Sequence, residues 1–95
     1  MLINKGFSKG DIVSLKLLNG DEIVARFEDE STDVITIERP LAINIGPQGL
    51  GMMPWMFLGN DGIVKLKKDH VFAMVPTKKE AAKQYSEGTT GIALP

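Results

Sequence analysis

The chain has 95 residues, no cysteine and a formal net charge of −1, with 43% hydrophobic and 24% charged residues. A single domain of this length buries roughly two-thirds of the surface its unfolded form exposes, and the lack of cysteine excludes disulfides, thiolate zinc sites and a cysteine nucleophile. The near-neutral charge argues against a general nucleic-acid coat.

No apolar run is long enough to span a bilayer, and Met1-Leu2-Ile3-Asn4-Lys5-Gly6 lacks the apolar core of a signal peptide. A soluble cytoplasmic protein with no membrane partner is expected. The charges are unevenly spread. Residues 1–64 hold nine acids and five bases (−4), whereas residues 65–95 hold three acids and six bases (+3). A basic patch on an acidic protein is one reading; solvated strand and helix faces are the plainer one.

Residues 1–9 read as an N-terminal segment. Gly10-Asp11 then opens a strand in which Val13, Leu15 and Leu17 alternate with Ser14 and Lys16, the period-two pattern of a half-buried strand. Asn19-Gly20 is a hairpin signal, since both residues tolerate positive φ. Ile23, Ala25 and Phe27 form one face of the next strand. Glu28 through Asp33 is too charged to bury and is predicted to be a turn.

From Val34 to Ile45 the residues Ile35, Ile37, Leu41, Ile43 and Ile45 share a face, interrupted by Arg39-Pro40. Proline removes a ladder hydrogen bond, so a bend, bulge or edge is predicted there. Residues 46–54 read as a loop from their glycine and proline content, with Trp55-Met56-Phe57-Leu58 resuming a strand. Gly59-Asn60-Asp61-Gly62 turns the chain, and Ile63–Lys67 and Val71–Val75 are the closing strands. Thr77-Lys78-Lys79-Glu80 matches a capping box, predicting a short helix over 77–88 and a mobile tail over 89–95.

Long strands in so short a chain imply a strongly bent sheet that curls into a small barrel. The alternation of Leu17-Leu18-Asn19-Gly20, Ile23, Ala25, Phe27 and Val34-Ile35-Thr36-Ile37 resembles the first motif of the Sm-like family, which includes the Hfq branch. Lys67-Lys68-Asp69-His70-Val71-Phe72-Ala73-Met74-Val75-Pro76 occupies the place of the second motif. The resemblance covers about residues 10–76 and is one of pattern, shared in part by other small SH3-type barrels. It implies an all-β, five-stranded, strongly bent antiparallel Sm-like barrel with a short C-terminal helix, of the divergent kind found in small bacterial or phage members.

The departures concern the base pocket. Ala25 stands where the family has a glycine, Ser31 where it has an aspartate, and Ile35 where an asparagine contacts RNA. Lys67-Lys68 takes the place of an arginine-glycine pair, and Lys68-Asp69 that of the Hfq branch's Lys-His pair. Family members also form rings by pairing the fourth strand of one subunit with the fifth of the next, which removes exposed edges. The resemblance therefore implies a homo-oligomeric ring of roughly five to seven subunits. Met56, Leu58, Val64, Leu66, Phe72 and Met74 are the expected interface.

Lys65, Lys67, Lys68 and His70 are the candidate RNA contacts, with Trp55 in second place: lysine neutralises phosphate, and His or Trp stacks on a base. Met52, Met53, Trp55, Met56 and Phe57 make an apolar cluster, for which packing of Trp55 and Phe57 within the subunit or its interface is the plainer alternative. Glu28, Asp29, Glu30 and Asp33 lack calcium-loop spacing, and residues 46–51 lack the lysine and following helix of a phosphate loop. No nucleophile–base set is legible around His70. No cofactor and no metal are expected. The leading expectation is a nonenzymatic RNA-binding or RNA-chaperone module; a ring-shaped protein–protein adaptor that has lost RNA binding is the alternative.

Overall fold

In a computed structural model, residues 2–3 and 6–89 are described. The elements run β1 (Leu2–Ile3), β2 (Ile12–Leu17), β3 (Glu22–Glu30), β4 (Val34–Gly46), β5 (Gly49–Pro54), β6 (Ile63–Lys67), a 3-10 turn (Lys68–His70), β7 (Val71–Pro76) and α1 (Lys79–Thr89). They form one sheet in the order β1-β7-β2-β3-β4-β5, with β6 paired to the first half of β4. All pairings are antiparallel except β1 with β7. No β6–β7 ladder closes the sheet among the described residues.

Six strands of five residues or more stand where a five-stranded barrel was expected, and residues 46–54 are not a loop. β4 continues to Gly46 and returns as β5, with Ile45 opposite Leu50 and Ile43 opposite Met52. Pro47 sits at a turn position its fixed φ suits, and Gly49, at φ 108°, takes the left-handed position after it. Conversely, Trp55–Leu58 is bend and coil rather than strand. The acidic turn is also shorter than predicted. Glu28, Asp29 and Glu30 belong to β3, where Glu28 meets Lys9 at 3.6 Å and Glu30 meets Lys68 at 2.8 Å. The turn itself is closed by the Ser31 amide donating to the Val34 carbonyl.

The core follows the period-two pattern. Val13, Leu15, Ile23, Ala25, Ile35, Ile37 and Met74 are fully buried, with Leu17, Phe27 and Val71 nearly so. β4 turns at Arg39-Pro40, where the pairing with β3 slips between Val24 and Arg26. Arg39 has φ 51°, a left-handed conformation costly for a residue with a side chain. Two things hold it there: its amide donates to the Asp61 and Gly62 carbonyls, and Tyr85 of α1 donates to the Glu38 and Arg39 carbonyls at 2.8 Å.

The helix begins at Lys79, one residue past the start a Thr77 cap requires. Lys78 supplies the first helical carbonyl, to the Ala82 amide, and the Thr77 hydroxyl lies 2.8 Å from that of Ser14. Thr89 ends the helix rather than opening a tail; the rest of the expected tail, residues 90–95, lies outside the described residues. Among the described residues no helix is long and apolar enough to cross a membrane.

Candidate functional site

The β2–β3 turn and the 3-10 turn are drawn together by one backbone bond, the Leu18 amide donating to the His70 carbonyl at 2.9 Å. Gly20, at φ 98°, allows the tight reversal. Asn19 folds back to accept from the Asp21 amide at 3.0 Å, which fixes the turn. On β6, Leu66 packs against the core while its neighbours Lys65 and Lys67 point to solvent, as period two demands. These segments enclose a groove of about 490 Å³. Leu17, Leu66 and Val71 make its apolar floor, and Leu18, Asn19, Trp55, Lys65, Lys67 and His70 surround it.

Trp55 is held at both ends. Its amide donates to the Pro40 carbonyl at 3.1 Å, and its Nε1 donates to Asp21 Oδ2 at 3.2 Å. The same carboxylate oxygen accepts from Asn19 Nδ2 at 3.3 Å. The indole is half-buried against the core yet still borders the groove. Trp55 therefore both packs against the core and lines the groove.

Four of the five candidate RNA contacts come together here: Trp55, Lys65, Lys67 and His70. Lys68 does not join them. Its Nζ is 2.8 Å from Glu30 Oε2, and it lines a separate cleft with Thr32, Asp33, Val34, Lys67 and Asp69. The 3-10 turn that follows β6 breaks the strand alternation and swings Lys68 toward β3.

The expected interface set divides. Met56, Leu58 and Phe72 are exposed. Val64 and Leu66 are half-buried against the core of their own chain, and Met74 is fully buried within it. The register explains the split, since residues two apart on a strand share a face and Met74 therefore shares one with Phe72 only if the strand is regular. β7 is not: its pairing with β2 slips at Lys16/Leu17, opposite this stretch.

Sequence reasoning missed Leu18, Asp21 and Tyr85. Leu18 breaks the alternation of its strand, which was a usable signal for an exposed leucine. Asp21 carried none, because its role depends on a tryptophan distant in sequence. Among the described residues no group of three or more His, Cys, Asp or Glu side chains is placed to hold a metal ion. No protein-family model and no curated protein matches the chain.

Proposed function

We propose that this protein is a nonenzymatic module that binds single-stranded RNA in the groove between the β2–β3 turn, Trp55, β6 and the 3-10 turn. One observation carries the reading: an aromatic ring, an imidazole and two exposed lysines from separate segments surround one apolar depression. Its volume falls within the ~300–1,000 Å³ range of small-ligand pockets and accommodates a nucleobase. A base would enter over the Leu17, Leu66 and Val71 floor and stack on Trp55 or His70. Lys65 and Lys67 would neutralise the flanking phosphates. Lys68, paired with Glu30, contributes little.

The frame for this reading is an Sm-like barrel. The order β7-β2-β3-β4-β6 supports it. The ring reading needs β6 of one subunit to pair with β7 of the next, and the outer edge of β7 here carries Leu2 opposite Ala73 and Ile3 opposite Met74. Ring closure at that edge would therefore require β1 to move aside.

Filter binding of oligo(U) and oligo(A) across a salt series tests the proposal. RNA binding predicts affinity that falls with salt, with the slope of log K against log salt reduced by about 1 for each phosphate-contacting lysine replaced. Lys65→Glu with Lys67→Glu is expected to abolish binding, while Lys68→Glu leaves it nearly unchanged. Absence of binding at low salt would favour the adaptor reading, which Met56, Phe57 and Leu58, exposed together beside Trp55, independently support.

A further inference from the structure

Between Arg39 and Asp61 the chain carries no charged residue at all, although 24% of the sequence is charged. This uncharged stretch contains the second half of β4, all of β5 and the loop that follows. It also holds Ile45, Met53, Met56, Phe57 and Leu58, which are five of the nine large apolar side chains exposed among the described residues. Ile45 is 77% exposed and Leu58 fully so.

β5 is also an edge strand. β4 lies on one side of it, and no strand lies on the other among the described residues. The Trp55 amide donates to Pro40, which sets the phase of the hairpin: with alternating direction, the backbone groups of Leu50 and Met52 point away from β4. Gln84 of α1 meets one of them, the Leu50 carbonyl, at 3.2 Å. Edges of this kind are ordinarily guarded by lysine, by a bulge, by proline in mid-strand or by a covering helix or loop, and Gln84 guards the Leu50 carbonyl in the last way. β5, Gly-Leu-Gly-Met-Met-Pro, has no charge and its proline stands only at the end.

We infer that the hairpin Leu41–Pro54 is a self-association arm whose partner is the β5 edge of a second copy of this chain. Charge identifies the occupant. An antiparallel two-fold pairing places each strand opposite its own image, so any charged side chain near the axis would meet a like charge. The hairpin has none to repel, and among the described residues it offers the Leu50 amide and the Met52 amide and carbonyl in the right phase for a shared ladder, the Leu50 carbonyl being taken by Gln84. Met53, 44% exposed on β5 itself, would stand beside the shared ladder. This edge is distinct from β6 and β7, and the inference stands whether or not RNA is bound.

Molar mass by light scattering, from low to high micromolar protein, tests it. The expected result is a dimer of twice 10.4 kDa that Met52→Pro and Met53→Lys each convert to a monomer. Met52→Pro removes an outward amide while sparing the β4 ladder, and Met53→Lys puts like charges beside the shared ladder at a side chain already 44% exposed. Circular dichroism establishes that each variant is folded; should Met52→Pro not fold, Met53→Lys decides. A wild-type monomer at every concentration would overturn the inference. So would a ring-sized mass, or an oligomer that the folded Met53→Lys variant leaves intact.

Discussion

Tyr85 does the most structural work of any side chain outside the strands. It is fully buried, its hydroxyl donates to two carbonyls at the β4 turn, and the Arg26 guanidinium lies 5.4 Å from its ring centroid. Arg26 is placed by Glu38 at 3.7 Å and donates to the Thr89 hydroxyl at 3.3 Å. Tyr85→Phe leaves two carbonyls without that donor and is expected to cost about 1–3 kcal/mol, measured by chemical denaturation. Burial pushes the phenol up from 10.0 to about 12, with Arg26 acting in the opposite direction. The folded state therefore keeps this proton after the unfolded chain has released its own. The contribution of Tyr85 is fully present below pH 10 and is lost as pH rises toward 12. A denaturation series over that window, compared with Tyr85→Phe, isolates it: the gap between the two proteins should narrow as pH rises.

Arg39 is the second residue whose backbone sets the fold. A left-handed conformation costs an L-residue roughly 1–2 kcal/mol, and Arg39 occupies it at φ 51° while its side chain is exposed. Arg39→Gly is expected to hold or raise the thermal midpoint, whereas Arg39→Val is expected to lower it. A lower midpoint for Arg39→Gly would mean that the guanidinium, not the turn, is what the position requires.

At the scale of elements, the strands were legible wherever alternation and turn chemistry agreed. Val13, Leu15 and Leu17, the Asn19-Gly20 reversal, the long third segment broken at Arg39-Pro40, and Ile63–Lys67 stand where the pattern put them. The β4–β5 hairpin was hidden because glycine and proline in residues 46–51 resemble a loop, and only its pairing with β4 makes it a strand. β1 offers two residues and hence no period. The groove was half legible: its lysines and His70 stood out by type, but their convergence with Trp55 depends on turns that bring distant segments together. Met74 turns inward while Phe72 does not, because the irregular pairing of β7 defeats a simple alternation. Met74→Ala, which opens a cavity in the core, is expected to cost about 2–5 kcal/mol. Phe72→Ala, 64% exposed, is expected to change stability far less, and thermal melts of the pair check that assignment.

At the scale of the whole molecule, the longest uncharged stretch carries five of the nine large apolar side chains exposed among the described residues. The basic groups of β6 border one groove, while the uncharged limb from Pro40 to Asn60 projects the hairpin and its loop. Trp55 belongs to both, at the end of the limb and at the groove. It is also the single tryptophan of the chain, so its fluorescence reports on the proposed binding surface without interference. Titration of oligo(U) at low salt is the most direct measurement. The account predicts saturable quenching of Trp55 emission that weakens as salt rises and disappears when Lys65 and Lys67 are both replaced by Glu. Emission that stays constant while RNA is added to excess, or quenching that survives the double replacement, would contradict it.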